Sequence, residues 1–331
     1  MKKKVALILA ALLCSATVAA TMAGCGNEST APASTSETSA VASETASETA
    51  ATTVTLEEVR AANDVAAVLK DHTAITMETT NMNSDTGDVT AKFTSQYTVE
   101  DGKAVYKEIS KDSKDNMIYS TETSDGASYT AFYENNKISQ KLLTVVPEAE
   151  YDAYINTLKN PFVSSAKDDE KEVSCVPQDD VLILETTCSD PNLDDYTFNR
   201  YYYVDPQTKL VKAFVEETVD KDKKVISTQT VNYTYDSPVS METEAKASIS
   251  GDEVKDLYKV SAIITTVGET SGGQEMQEFK VAKGTYISVY TTDDQKSTTY
   301  TTLKDNEPSD PVEFFEVTKD DSTVYFTIEA K

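Results

Sequence analysis

Apolar and polar positions divide the chain into four stretches. Val5–Cys14 is unbroken apolar or small, and small residues continue to Ala23. From Gly26 to Thr53 Ser, Thr, Ala and Glu dominate, with no aromatic, Lys or Arg. Helical spacing begins at Val54: Leu56, Val59, Ala62, Ala66 and Leu69 recur on one face, predicting a helix over about 56–70. Thr55 and Glu58 stand at capping-box positions, with Val54 and Val59 as the staple. Period-two alternation then takes over, as in Val89, Ala91, Phe93, Ser95, Tyr97 and Val99. Further strands are predicted at 104–110, 117–123, 128–134, 171–177, 181–188, 197–204, 210–219 and 225–235, broken by turns such as 99–103 and 205–209. Pro147 opens a second helix reaching about Leu158, with Tyr151, Tyr154, Ile155 and Leu158 on one face. Beyond Pro238 and a polar stretch, 257–267, 276–281, 286–290, 313–318 and 323–328 read as short strands. The expected organisation is therefore a leader over 1–24, a tether over 25–53, an antiparallel sheet body over 54–245 and a small β module over 246–331. The fold class is α+β, mostly antiparallel β, with two helices on an unclosed, curved sheet.

The first stretch carries a specific signal. Lys2–Lys4 precede an apolar run too short for an ordinary spanning helix, the pattern of a signal peptide. Thr21-Met22-Ala23-Gly24-Cys25 resembles the lipobox of bacterial lipoproteins, with Met22 where Leu is usual. That resemblance implies cleavage after Gly24 and diacylation of Cys25. Two acyl chains anchor stably where one anchors marginally. The membrane is thus an expected partner through the N-terminal lipid. The tether cannot bury enough apolar surface to offset its ordering entropy. Its 28 residues would extend to about 90–100 Å. Tethers of this composition resemble those on Gram-positive lipoproteins, which implies an extracytoplasmic, cell-surface location.

Composition narrows the chemistry. The formal charge is -26, and loss of Lys2–Lys4 with the leader deepens it to -29. No nucleic-acid partner is expected, because phosphate neutralisation needs clustered Lys and Arg. With one His, schemes needing two imidazoles are excluded. Ser164-Ser165-Ala166-Lys167 matches S-x-x-K without the S-D-N and K-T-G partners that penicillin-binding enzymes require. Asp190–Asp195 begins like a calcium loop, but position 6 is Asp195 rather than Gly and position 12 is Tyr201 rather than Glu. His72 closes the first helix. If the 171–188 hairpin turns at Gln178-Asp179, Cys175 faces about Leu182 and Cys188 lies about 20 Å away at strand rise. A disulfide, with Cα atoms within about 7 Å, would need a different hairpin. No catalytic residue, metal or cofactor is expected.

The helix–meander–helix layout, with Tyr203-Val204-Asp205-Pro206-Gln207-Thr208 at a strand turn, resembles the outer-membrane lipoprotein carrier (LolA-type) superfamily over about 55–240. That resemblance implies a curved, unclosed antiparallel sheet holding helices in its concavity. The closing Val317-Thr318-Lys319-Asp320-Asp321-Ser322-Thr323-Val324-Tyr325 resembles β-grasp repeats of Gram-positive surface proteins, whose G-W-Y element is missing here. The expected function is non-enzymatic: a lipid-anchored protein holding a lipid or other apolar or amphipathic ligand. Leu56, Val59, Phe93, Tyr97, Tyr151, Ile155 and Tyr202 are the candidate ligand-binding residues. The alternative is an adhesion or cell-wall interaction protein whose β modules are structural and enclose no cavity.

Overall fold

The computed structural model describes residues 53–158, 169–189, 195–241, 243–267, 273–292, 294–304, 307–308 and 310–330. Cys25, the tether, the S-x-x-K stretch, the helix stop at Asn160-Pro161 and most of the acidic 190–195 loop lie outside them. The described fold is α+β and mostly β, in mostly antiparallel sheets that do not close into a barrel.

The first helical segment is two helices, α1 (Leu56–Ala62) and α2 (Val65–Asp71), rather than one. The capping box at Thr55 and Glu58 is present. Asn63 ends α1 because its side chain serves elsewhere. Its Nδ2 donates to the Val59 and Lys209 carbonyls at 2.7 and 2.9 Å, and its Oδ1 accepts from Val211 N at 3.0 Å. Asp64 then caps α2 by accepting from Ala67 N.

Eleven strands follow in a meander interrupted by one helix: β1 (Ala74–Asn83), β2 (Val89–Glu100), β3 (Lys103–Asp112), β4 (Met117–Ser124), β5 (Ala127–Glu134) and β6 (Lys137–Val145), then a 3₁₀ turn and α3 (Tyr151–Thr157), then β7 (Lys171–Gln178), β8 (Val181–Ser189), β9 (Tyr196–Val204), β10 (Val211–Asp220) and β11 (Val225–Tyr235). Strands β1 and β6 were not expected from the sequence. Asp101-Gly102 and Asn135-Asn136 both sit at positive φ, the two-residue turn that matches strand twist.

The tail contributes α4 (Glu244–Ser250), β12 (Leu257–Val267), β13 (Gly273–Ala282), β14 (Tyr286–Val289), β15 (Gln295–Tyr300), the two-residue β16 (Leu303–Lys304), β17 (Glu307–Pro308) and β18 (Phe315–Glu316), and β19 (Ser322–Ala330). The large sheet runs β18-β14-β6-β5-β4-β3-β2-β1-β11-β10-β9-β8-β7, and a four-stranded sheet runs β13-β12-β19-β15. Residues 246–331 are therefore joined to the meander by a parallel pairing of β14 with β6.

Each face of the large sheet carries a core. Tyr106 pairs with Thr123, which pairs with Ser128, so these share one face while Ala127 and Tyr129 point to the other. The first face buries Ile75, Met77, Tyr97, Tyr106, Tyr202 and Phe214 against Leu56, Val59, Val65, Val68 and Ile155 of the helices. The opposite face buries Tyr129, Leu143 and Ile287 against Ile249 of α4 and Val260, Ile264 and Phe326 of the small sheet. Cys175 pairs with Leu184 and Cys188 with Phe198, so the hairpin turns at Asp179-Asp180, one residue later than expected, and both thiols are free.

Candidate ligand-binding site

Alternation places Ile75 and Met77 of β1 on the helix-covered face, and register surrounds them with phenol rings. Ile75 stands between Tyr97 of β2 and Tyr235 of β11, and Met77 pairs with Tyr233. Val65 and Val68 of α2 close over these five strand positions, with Asn63 at the rim. Together they line a cleft. Its lining is almost wholly apolar, and its free space holds about one water molecule. The Tyr235 hydroxyl donates to the Val211 carbonyl at 2.8 Å. The Tyr97 side chain is fully buried and its hydroxyl has no hydrogen-bond partner. Burial, reinforced by the nearby Glu108 charge, holds its ionisation well above the ordinary phenol value.

Two polar networks flank the cleft on the same face. Glu108 is buried and accepts from Ser95 Oγ at 2.8 Å, Tyr106 Oη at 2.5 Å and Tyr119 Oη. On the other side the chain's arginines, Arg60 and Arg200, converge on Glu170. Arg60 Nη2 and Arg200 Nη1 reach Glu170 Oε2 at 2.7 and 2.8 Å, and Arg200 Nε reaches Glu216 at 2.8 Å. Tyr202 and Thr186 donate to Glu170 Oε1 at 2.9 and 2.5 Å. The Glu170 side chain is 0% exposed and that of Arg200 2%. This network, with Leu56 N donating to Glu172 at 2.6 Å, fastens α1 to the strands.

Leu56, Val59, Tyr97, Ile155 and Tyr202 lie in one buried cluster with Tyr151 packed against it. Of these, Tyr97 lines the cleft. Phe93 sits two positions before Ser95 on β2, half-buried and outside that cluster. Sequence reasoning did not select Asn63, Val65, Val68 or Met77, nor any network residue besides Tyr202. The scarcity of arginine was the available signal for Arg60 and Arg200.

The residues offer apolar surface and phenol hydroxyls rather than a nucleophile beside a base. Burial pushes the Cys188 thiol up to about 11. His72 caps α2, its Nδ1 2.6 Å from Asp236 at the end of β11 and its ring tilted on Tyr235. Among the described residues no group of three His, Cys, Asp or Glu could hold a metal, and no helix is long and apolar enough to cross a membrane.

No protein-family model matches the chain, and no curated protein sequence does. Solved structures overlap it loosely. LprF from Mycobacterium bovis is 10% identical, with 57% of this chain and 97% of that one covered at a TM-score of 0.32. MucB, in its complex with MucA(peri), is 10% identical over 74% of this chain and 70% of that one, at 0.31. A LolA superfamily protein from Nitrosomonas europaea is 10% identical over 55% and 92%, at 0.20. Overlaps this loose carry no argument about what the chain binds or to which family it belongs.

Proposed function

We propose that this protein is a non-enzymatic lipoprotein, held on the outer side of a Gram-positive cell membrane by acylated Cys25, and that its sheet body takes up an apolar or amphipathic ligand at the cleft between α2 and strands β1, β2 and β11. One observation carries the reading: an apolar cleft lined in part by Tyr97, whose buried hydroxyl has no partner. A buried hydroxyl without a partner costs about 1–3 kcal/mol, and a ligand oxygen accepting from it would recover part of that cost. The test is a fluorescent fatty-acid probe added to the unacylated Cys25→Ala chain. Saturable binding, weakened by Val68→Trp in the cleft wall, is expected. Binding no greater than to an acidic control protein rejects the ligand. Anchoring is tested separately: Cys25→Ala should release the protein from membranes, and undiminished partitioning rejects the lipid anchor.

A second reading, an adhesion or wall-interaction protein with structural β modules, is favoured by the small free space in that same cleft. It predicts no probe binding and intact association with cell-wall preparations.

A further inference from the structure

We propose that the outer face of the four-stranded sheet binds a linear, uncharged polysaccharide chain, independently of the cleft. The inner face of this sheet is committed to the second core through Val260, Ala262, Ile264, Val324, Phe326 and Ile328. Period two therefore turns their neighbours outward. Met276 pairs with Ile263, Ile263 with Tyr325 and Tyr325 with Tyr300, so one row crosses β13, β12, β19 and β15 without a break. None of the four belongs to either buried cluster, and Met276 is 62% exposed. Hydroxyls flank the row: Thr265, Thr327 and Thr298 on one side, Ser261 and Thr323 on the other.

Spacing and charge select the occupant. Neighbouring strands stand about 4.8 Å apart, close to the advance of one pyranose unit along an extended β-linked chain. Each successive sugar would meet one side chain of the row. The C–H face of a pyranose stacks on a phenol ring, and its equatorial hydroxyls point sideways to the Thr and Ser rows. Charges on this face are Lys259, Lys280 and Lys296 against Glu278 and Glu329. Lys259 pairs with Glu278 at 2.7 Å and Lys296 with Glu329 at 3.2 Å. Asp320 and Asp321 stand near Lys259 at one end, so on a chain of net charge -26 this face is close to neutral. The charge of the whole chain repels a second copy and anionic polymers at long range. An uncharged chain meets neither penalty.

The experiment titrates the unacylated Cys25→Ala chain with two probes, the β-1,4-linked hexamers of glucose and of N-acetylglucosamine. Tyrosine emission is a clean readout because the chain has no Trp. Saturable binding of at least one hexamer is expected. Tyr325→Ala and Tyr300→Ala should each weaken it about tenfold, the scale of one lost aromatic contact, with the thermal midpoint unchanged. Tyr325→Phe, which keeps the ring, should bind like wild type, so a folding defect in the Ala variants would be recognised. Binding of neither hexamer, or equal binding by the double Ala variant, overturns the proposal. Self-association abolished by Met276→Asp also overturns it, in favour of a second copy on this face.

Discussion

The two cores on opposite faces of the large sheet are built from different chemistry. The one under the helices contains Tyr97, Tyr106 and Tyr202 and borders the Glu108 and Arg60–Glu170–Arg200 networks. The one under the small sheet is Ala, Val, Leu, Ile and Phe, with Tyr129 as its buried phenol. Buried polar groups are costly unless fully partnered, so a body built for stability alone would place them on neither face. Their concentration under the helices separates a side organised around polar detail from a side organised around packing.

High pH should have the largest effect. Burial, the leading cause, raises the ionisation of Tyr97, Tyr106, Tyr119, Tyr202, Tyr233 and Tyr235 above the ordinary phenol value. A folded-state value above the unfolded one gives stability present below about pH 10 and lost as pH rises past it, because the unfolded chain ionises first. Phenolate absorbance and far-ultraviolet circular dichroism should change together above that pH. Since both cores share one sheet, a single transition is expected. A second core that persists after the phenols titrate would break the coupling and support an independent module over 246–331.

Glu170→Ala comes next. It removes the carboxylate shared by Arg60 and the buried Arg200, leaving Arg200 with Glu216 alone, and breaking a buried pair costs about 3–5 kcal/mol, readable by urea unfolding. Ile264→Ala in the aliphatic core costs a comparable 2–5 kcal/mol. The contrast is that Ile264→Ala should leave fatty-acid probe binding unchanged. If it weakens the probe as Val68→Trp does, the two faces are not functionally distinct.

Two conservative changes probe the tyrosine side more finely. Tyr106→Phe removes a 2.5 Å donor to Glu108 and should cost about 1.5–3 kcal/mol, as for hydrogen bonds to charged groups. Tyr97→Phe deletes a hydroxyl without a partner and should be neutral or slightly stabilising. Equal losses in both would mean that the Tyr97 hydroxyl is bonded in solution. The smallest effect concerns Cys188, whose thiol is held up to about 11 and so should resist alkylation at pH 8 in the folded chain.

Local signals in the sequence carried most of the strands, the turns and the two helical regions before β7, but not α4. The capping box at Thr55 and Glu58 was legible because it is complete within four residues. The break at Asn63-Asp64 was masked by apolar spacing that continues through it. Its cause is a partner at Lys209 and Val211, far along the chain. β1 was missed because Thr76, Glu78 and Thr80 alternate with Thr79 and Asn81 rather than with apolar residues once past Met77. β6 was missed although Asn135-Asn136 offered a hairpin turn, because Lys and Gln break its apolar rhythm. Of the cleft, Tyr97 was legible by alternation, whereas Met77 joins it through the pairing of β1 with β11 and Asn63 and Val65 reach it from the helices. The ion network joins residues 110 and 30 positions apart, which no local pattern encodes.

The pairing of β1 with β11 has a kinetic consequence. β1 lies between β2, its immediate successor, and β11, with Ile75 facing Tyr235. Strands β1–β6 can zip as successive hairpins, and β7–β11 can do the same, each closing only short loops. The seam between them joins chain ends about 160 residues apart, and such non-local contacts slow folding by orders of magnitude relative to local ones. Until that seam forms, β1 and β11 each expose an unpaired edge. The time spent in that state, rather than the strength of either core, governs how much newly made protein is lost to association before it folds.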